Sequence, residues 1–199
     1  SAFYHNIKIA HIEAGLRSFN LKEPYPEEFN RKATSILCNL HFAPTKKNKA
    51  NLIAEGIEPK NIIITGNTVI DSIYYLNNFF KKNINLKLKT IEKLKKNINI
   101  DFENQKYILI TCHRRENFGK KLKDICDGLI ALSKKYKKFY FIYPVHLNPN
   151  IFNVVKKKLS NYKNIILTNP QNYINFYFLM KYCYFIITDS GGLQEEAPS

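Results

Sequence analysis

The chain has 199 residues with 45% hydrophobic content, which can build one ordinary domain or two small ones and excludes a disordered chain. No apolar run approaches the ~20 residues of a membrane-spanning helix, so we expect no membrane partner. The formal net charge is +15, yet only four of the 31 basic residues are arginine and tryptophan is absent. The lysine runs are typical of exposed helix faces, so we expect a solvated surface rather than a nucleic-acid partner.

The first third of the chain alternates between predicted strands and helices. The strands are predicted at 6–13, 41–45 and 61–67, and the helices begin at Pro26 and after Thr45. Glu27 and Glu28 follow Pro26, as the positive end of a helix dipole favours. Thr45 can cap the second helix, and Gly56 can end it.

Residues 68–100 are predicted to be helical and strongly basic, and to form the passage between two lobes. Beyond them, strands again alternate with helical segments of ~10–15 residues, a pattern typical of βαβ units with a parallel sheet. The expected fold is therefore α/β. The tail of a first lobe is expected at 1–67, and most of a second lobe at 68–199.

The four cysteines show no CxxC spacing, and three of them lie in or beside apolar runs. They are Cys38, Cys112, Cys126 and Cys183. This placement favours buried, reduced thiols over disulfides or a zinc site. We therefore expect a cytoplasmic protein.

Polar residues or glycines follow five of the predicted strands. The runs IKIAHIE, IIITGN, YILITCH, FYFIYPVH and YFIITDSGG lead to Glu13, Asn67, His113, His146 and Ser190-Gly191-Gly192. In an open parallel sheet, ligands bind outside the carboxyl ends of the strands. This repeated placement indicates an active-site rim.

The segment TDSGGLQEE is the sharpest local signal for a bound anion. Gly191 and Gly192 allow the backbone to come close to a ligand, and the helix that begins there can attract a phosphate. Glu196, one turn later, can accept hydrogen bonds from ribose hydroxyls. The alternative is a plain turn in which Ser190 caps the helix. The sequence contains neither a dinucleotide fingerprint nor a P-loop.

The segment THRREN also follows a strand. His113 with Arg114 suits a diphosphate, and His113 can act as a general acid or base near neutral pH. Surface charge is the alternative, and it is the simpler explanation for Arg115. His146, in PVHLNPN, would by itself be interpreted as a structural histidine. The helical spacing of Tyr173, Phe176, Tyr177 and Phe178 mostly indicates core, with base stacking as the minority interpretation.

Two carboxylates come from consecutive elements of the first lobe. Glu13 ends a strand, and Glu27 opens the next helix with Arg31 four residues later. Such a pair can share proton transfer when burial raises one pKa. An ordinary ion pair between Glu27 and Arg31 is the alternative. His11 is expected to serve packing rather than catalysis.

Six of these motifs together resemble a known family. HIEAGLR, PEEFNR, TGNTVID, HRREN, PVHLNPN and TDSGGLQEEAPS, in this order, are similar to the non-hydrolysing UDP-N-acetylglucosamine 2-epimerases. The resemblance covers essentially the whole chain. It implies two Rossmann-like lobes in the GT-B arrangement, with the nucleotide sugar in the cleft, and no requirement for a metal or nicotinamide cofactor. The implied reaction interconverts UDP-GlcNAc and UDP-ManNAc by eliminating UDP and adding it back.

The resemblance also implies roles for individual residues. Glu13 and Glu27 would be the acid/base carboxylates, supported by Arg31, and His113 would attend the diphosphate. Substrate binding would fall to a set of second-lobe residues, namely Ser190, Gly191 and Gly192 with Glu196 for phosphate and ribose, and Gln171 with Phe176 for the uracil. Arg114 and His146 match positions that are linked in some members to a second, regulatory UDP-GlcNAc.

The resemblance further implies that segments are missing at both ends. Met180 is the only methionine, and the sequence stops within a helical pattern. We therefore expect a longer parent that is a homodimer, and we expect the isolated piece to be inactive. The rival interpretations are a hydrolysing epimerase, a GT-B glycosyltransferase and, from another class, a basic nucleic-acid-binding module.

Overall fold

The computed structural model describes residues 1–114 and 117–199, so Arg115 lies outside the described residues. The chain divides into two compact units, Ser1–Ser72 and Ile73–Ser199. Each unit contains a parallel sheet with helical connections. The α/β class with parallel strands, predicted from the sequence, is confirmed. The predicted division between 1–67 and 68–199 lies a few residues before the boundary between Ser72 and Ile73. The helix Thr68–Lys82 runs across that boundary.

The first unit is built on three parallel strands in the order β1-β2-β3. Its elements are β1 (Ala10–Ile12), α1 (Glu27–Leu37), β2 (Leu40–Ala43), α2 (Lys46–Ala54) and β3 (Ile62–Ile64). Thr45 caps α2 by accepting a hydrogen bond from the backbone N–H of Asn48, as predicted. Gly56 follows α2 with φ +89°, which suits a residue without Cβ.

The strand predicted at 6–13 is shorter in the structure. Phe3–His5 form a turn of 3-10 helix, and only Ala10–Ile12 pair with β2. The backbone N–H of Ile9 donates to the side chain of Asn39 at 2.9 Å instead of to a strand. A side chain therefore satisfies the N–H of Ile9, and the ladder begins at Ala10, four residues later than the hydrophobic pattern suggests.

The second unit is built on four parallel strands in the order β6-β5-β4-β7. Its elements are α3 (Thr68–Lys82, which begins in the first unit), α4 (Ile84–Ile98), β4 (Tyr107–Thr111), α5 (Lys120–Lys135), β5 (Tyr140–Pro144), α6 (Pro149–Leu159), β6 (Ile165–Thr168), α7 (Tyr173–Tyr182), β7 (Phe185–Thr188) and α8 (Gly191–Glu196). The chain moves outward from β4 to β6 and then returns to the other side of β4. The switch point of the sheet therefore lies between β4 and β7, where ligands bind in open α/β sheets.

The sheet of the second unit is covered by apolar side chains on both faces. Leu109 packs on one face with Leu94 of α4 and Phe178 of α7. Its neighbour Ile110 packs on the other face with Leu122 of α5. This alternation follows from the two-residue period of a strand. Full burial of each such side chain stabilises the fold by about 1.5–3 kcal/mol.

All four cysteines are free thiols, as predicted, and Cys112 and Cys126 are buried. Burial raises the pKa of Cys112 to about 12 and that of Cys126 to about 11. These thiols therefore stay protonated at neutral pH. In the described part of the chain, no helix is long and apolar enough to cross a membrane.

Two histidines lie side by side in the small sheet. His11 of β1 and His41 of β2 are register partners, and their ring centroids are 6.3 Å apart. Burial lowers the pKa of both imidazoles, and the charge of Arg17 lowers both further. The charge of His41 also lowers the pKa of His11. The pair is therefore folded in its neutral form, in agreement with a packing role for His11.

Acidification should weaken the first unit. A lowered folded-state pKa means that the unfolded chain binds protons first, so stability is complete above about pH 6.5 and is lost as the pH falls toward the folded-state pKa. We expect the urea midpoint, followed by circular dichroism, to drop between pH 7.5 and 5.5. The double variant His11→Gln/His41→Gln should reduce this pH dependence, while His5→Gln, at an exposed position, should keep it. Equal pH profiles for all three proteins would contradict the assignment.

Candidate functional site

The carboxyl ends of all four strands in the second unit surround one cavity of about 290 Å³. It is lined by Thr111, His113, Pro144, His146, Pro170, Gln171, Tyr173, Phe176, Ser190, Gly192, Leu193 and Glu196. Seven of the predicted site residues are therefore brought together, although His113 and Glu196 are 83 positions apart in the chain. Clefts of this kind, with apolar walls and a few polar groups, are the usual small-molecule sites.

Asp189 joins the two strands that flank the switch point. Its carboxylate accepts hydrogen bonds from the backbone N–H groups of His113 (3.0 Å) and Arg114 (2.9 Å) and from the side chain of Asn117 (2.8 Å). The hydroxyl of Thr111 also donates to that of Thr188 at 2.7 Å. These bonds fix the loop after β4 against the loop after β7. The motif TDSGG predicted a role for the glycines, but this role of Asp189 was not predicted from the sequence.

The turn Ser190-Gly191-Gly192 lies beside a cation. A Cβ added to Gly191 would come within 3.3 Å of the guanidinium Nη2 of Arg114, whereas one added to Gly192 would meet open space. Ser190 caps α8 by accepting from the N–H of Leu193 at 3.4 Å. An anion over this turn would therefore meet both bare backbone and a positive charge.

Two imidazoles stack at the mouth of the cavity. The rings of His113 and His146 are nearly parallel, at 9°, with centroids 5.8 Å apart. The Nδ1 atom of His146 accepts a hydrogen bond from the backbone N–H of Asn148 at 3.0 Å. The neutral ring therefore carries its proton on Nε2, which is free to donate. The structure thus places His146 with the site rather than in the core.

A glutamine and aromatic rings also line the cavity. Gln171 donates to the carbonyl oxygen of Asn169 at 2.8 Å and accepts from the side chain of Asn175 at 3.1 Å. Phe176 and Tyr173 line the cavity, whereas Tyr177 and Phe178 are buried in the core. Phe176 also packs against this core, so the helical spacing identified core for three of the four rings. Tyr173, one turn before Phe176, was missed as a wall residue.

Glu196 contributes an unsatisfied carboxylate to the cavity. Its Oε2 atom is buried and has no hydrogen-bond partner among the described residues. Burial raises the pKa of this carboxyl. A buried acceptor without a partner is costly, so a ligand hydroxyl that donates to it would relieve the cost.

In the first unit, Glu13 lies on a loop whose backbone is tightly constrained. Glu13 has φ +65° and an exposed side chain. Two residues later, the carbonyl oxygen of Gly15 accepts from the side chains of Asn48 (3.2 Å) and Asn51 (3.0 Å), both on α2. One face of α2 therefore holds the loop that carries Glu13.

Arg17 strengthens the same attachment. Its fully buried guanidinium makes a bidentate ion pair with Glu55, at 2.8 and 2.7 Å, just after α2. It also donates to the hydroxyl of Ser35 on α1 at 2.9 Å. Bidentate pairs of this kind fix orientation as well as charge. The helical spacing of Asn48, Asn51 and Glu55 can be seen in the sequence. The sequence does not show that these side chains contact the loop with Gly15 and Arg17.

Glu27 and Glu28 occupy different environments at the start of α1. Glu27 is exposed, whereas Glu28 is fully buried and accepts from the backbone N–H of Phe19 at 3.0 Å. Arg31 lies 3.6 Å from Glu28. The ion pair that the spacing suggested between Glu27 and Arg31 is therefore replaced by one with Glu28. Among the residues that the structure describes, the Glu27 carboxylate has no ion-pair partner, while Glu28 holds the preceding loop.

Metal ligation has no support in the described residues, since they contain no group of three or more His, Cys, Asp or Glu side chains that could hold an ion. The chemistry that the residues can perform is proton transfer by carboxylates and binding of an anionic, hydroxylated ligand.

The sequence profile described as UDP-N-acetylglucosamine 2-epimerase matches residues 1–199. The chain belongs to this family. Similar curated proteins are the UDP-N-acetylglucosamine 2-epimerases of Campylobacter jejuni, 49% identical over 199 residues, and of Neisseria meningitidis, 45% identical over 203 residues. The alignments cover the whole chain and 52% of each relative. The chain therefore spans about half the length of these relatives.

Solved epimerase structures share the fold. The Neisseria meningitidis UDP-GlcNAc 2-epimerase bound to UDP-GlcNAc matches with a TM-score of 0.91 and 45% identity, over 100% of this chain and 52% of that one. The Methanocaldococcus jannaschii enzyme in complex with UDP-GlcNAc and UDP matches with a TM-score of 0.81 and 34% identity, over 98% and 52%. The family suggested by the six sequence motifs is therefore confirmed.

The loop that carries Glu13 offers a stability test. A Cβ at Gly15, where φ is +87°, would lie 2.3 Å from the carbonyl oxygen of Asn48. This oxygen is a backbone atom, so it cannot move aside as the end of a flexible side chain can. We expect Gly15→Ala to lower the free energy of unfolding by at least about 3 kcal/mol. Gly66→Ala is the matched control, because φ is +81° but a Cβ there meets nothing within 4 Å. Gly66→Ala should lower the free energy of unfolding by about 1–2 kcal/mol. Equal losses for the two variants in urea titrations would refute the close packing at Gly15.

Proposed function

We propose that this chain supplies the nucleotide cavity and two acid/base carboxylates of a non-hydrolysing UDP-GlcNAc 2-epimerase, which interconverts UDP-GlcNAc and UDP-ManNAc. One observation carries the proposal. A chain matched from end to end by the epimerase family has, at the switch point of its larger sheet, a cavity with an unsatisfied carboxylate and an arginine beside a bare glycine turn.

The cavity suits the three parts of UDP. Gln171 presents amide groups and Phe176 a ring, as a planar uracil requires. The unpaired Glu196 oxygen can accept from a ribose hydroxyl. The turn at Gly191 and Gly192, together with His113 and the guanidinium of Arg114, would bind the diphosphate. Arg114 thereby receives a role at the substrate in addition to the regulatory one that the resemblance suggests for Arg114 and His146.

The family resemblance supplies a mechanism that explains the carboxylates. The proton on C2 of the sugar is weakly acidic, so direct removal is difficult. Elimination of UDP to a 2-acetamidoglucal breaks the C1–O and C2–H bonds, and re-addition of UDP to C1 with a proton delivered to the opposite face of C2 inverts C2, which avoids this difficulty. It requires acid/base groups at the sugar, for which we propose Glu13 and Glu27, and firm binding of the departing diphosphate.

The neighbours of each carboxylate support these roles. The contacts of Gly15 and Arg17 with α2 hold the Glu13 loop in one conformation. Glu28 pairs with Arg31 and holds the loop before Glu27, so that Glu27 itself remains available. We propose Arg31 as a positioning residue that acts through Glu28.

We further propose that the complete protein has two GT-B lobes divided near residues 67 and 68, that it is a homodimer and that it works in the cytoplasm. The parallel sheets in both units and the four free cysteines support the first and last of these proposals. The family match supports the dimer through the resemblance.

Activity can be measured in a chimera in which these 199 residues replace the matching segment of the Campylobacter jejuni relative. Proton NMR in D2O should show deuterium at C2 with accumulation of UDP-ManNAc and little free sugar. Free ManNAc together with UDP would indicate a hydrolysing enzyme. Absence of deuterium exchange at C2 in a folded chimera would contradict the proposed epimerase function. The 199-residue chain alone should give no turnover.

Substitution of either carboxylate tests its role. Glu13→Gln and Glu27→Gln in the chimera should each lower kcat by about 10²–10⁴-fold, the range of general acid–base catalysis, with little change in UDP affinity. Glu58→Gln is the control, since Glu58 is exposed and pairs only with Lys60 among the described residues. A kcat like that of the control would remove the residue from the mechanism.

The Glu196 carboxylate should make UDP affinity depend on pH. Ribose hydroxyls donate to the ionised form, and burial raises the pKa of this group, so affinity should fall as the pH drops through that raised pKa. Glu196→Gln should weaken UDP binding about tenfold at pH 7 and remove this pH dependence. Asp127→Asn, at an exposed surface pair, should change neither quantity in calorimetric titrations. A pH profile that is unchanged by Glu196→Gln would exclude this carboxylate.

A further inference from the structure

A second, larger concavity lies along the outer edge of β6. We name it the β6-edge groove; its volume is about 970 Å³. It runs from Lys156 on α6, past the loop after β6, to Asn97 on α4. All of these elements belong to the second unit. Its volume is at the upper end of the range for small-molecule sites.

The chemistry of the groove is that of hydroxyl recognition. Five carboxamide side chains line it, those of Asn97, Asn169, Gln171, Asn172 and Asn175. The side-chain amides of Asn97 and Asn169 have no hydrogen-bond partner among the described residues. Each amide offers donors and an acceptor together, which matches the mixed donor and acceptor character of sugar hydroxyls. The floor, which includes Phe152 and Leu167, provides the apolar surface that a pyranose ring can cover.

The charge of the groove favours an anion. Among the described residues that line the groove, Lys156 is the one cation, and its Nζ lies 5.5 Å from the centroid of the Phe152 ring. No Asp or Glu lines the groove within the described ranges. Asn97 also borders a neighbouring depression that contains Lys93 and Lys96, with Glu92 as its single acidic residue. A ligand that extends past Asn97 would therefore meet further positive charge.

We propose that the β6-edge groove binds a polyhydroxylated anion, namely an acidic sugar or a sugar phosphate, at a site separate from the nucleotide cavity. Hydroxyls of the ligand contact Asn97 and Asn169, its ring covers Phe152, and its anionic group pairs with Lys156. The carboxylate and the phosphate share this chemistry, and the experiment distinguishes them.

The two sites are coupled through Gln171, which lines both. Its side chain is held by its own donation to the carbonyl oxygen of Asn169 and by a hydrogen bond from Asn175, and Asn175 lines the groove. A ligand that accepts a hydrogen bond from the Asn175 amide removes the bond from Asn175 to Gln171. Gln171 is then less firmly held, and UDP binding is weakened. This coupling rests on the proposed nucleotide function of the cavity, whereas binding in the groove does not.

The chimera described above, with its epimerase activity as a check on folding, provides the test. UDP is held at saturation so that no probe enters the nucleotide cavity, and glucose 6-phosphate, glucuronate and neutral glucose are titrated by calorimetry. We expect at least one anionic probe to bind with a Kd of the order of 1 mM and glucose to bind more weakly. The tighter of the two anions identifies the anionic group.

Matched variants locate the site. Lys156→Gln should raise the Kd of the anionic probe about tenfold, whereas Lys157→Gln, on the same helix but outside the groove, should not. Asn169→Ala should weaken binding, and Asn153→Ala, outside the groove on α6, should leave it unchanged. Equal Kd values for Lys156→Gln and Lys157→Gln, or no binding of either anion, would overturn the proposal.

The coupling is measured separately. The Kd of UDP should rise about threefold when the anionic probe is saturating, and the Kd of the probe should rise by the same factor with UDP, since coupling is reciprocal. Probe binding with an unchanged Kd for UDP would overturn the coupling and retain the site. Loss of UDP binding in the unsubstituted chimera would instead contradict the proposed function.

Discussion

The carboxylate of Asp189 accepts three hydrogen bonds from the segment that follows β4, although the two segments are more than 70 positions apart in the chain. At a switch point, the connections that leave adjacent parallel strands run to opposite faces of the sheet, and their separation opens a crevice. Without a tie, the loops at its rim would be free to move. The aspartate fixes the backbone at His113 and Arg114 against the turn at Gly191, and the cavity takes its shape from this contact.

The first unit uses the same strategy with other residues. Its loop after β1 has its own polar groups satisfied by one face of α2 and by the buried Arg17 pair. Glu28 performs a similar task for the loop before α1. In both units, polar side chains fix loops, and Glu13, Glu27 and His113, which are proposed to act on substrate, are left exposed. This division of labour agrees with the need for pre-organised groups in catalysis.

The sequence predicted the elements whose signals are local. The cap at Thr45, the strands of the larger sheet and the polar residues at their ends depend on residue type and short-range period, and these were recovered. The length of β1 was not, because the chain forms a 3-10 turn at Phe3–His5 and the N–H of Ile9 bonds to the side chain of Asn39, from another part of the chain. The partner of Arg31 was not either, because i+3 and i+4 spacings are equivalent on a helix until the buried loop selects Glu28. The role of Asp189 depends on a contact that no local pattern records.

The buried thiols have a practical consequence for chemical labelling. At neutral pH, a thiol with a pKa of about 11 is ionised in only about one molecule in 10⁴. The thiolate is the form that reacts with alkylating reagents. Cys112 and Cys126 are in addition shielded from solvent. A cysteine introduced on an exposed helix face would therefore react far faster than these two native thiols. Spectroscopic probes can be attached to such a position while Cys112 and Cys126 remain in place.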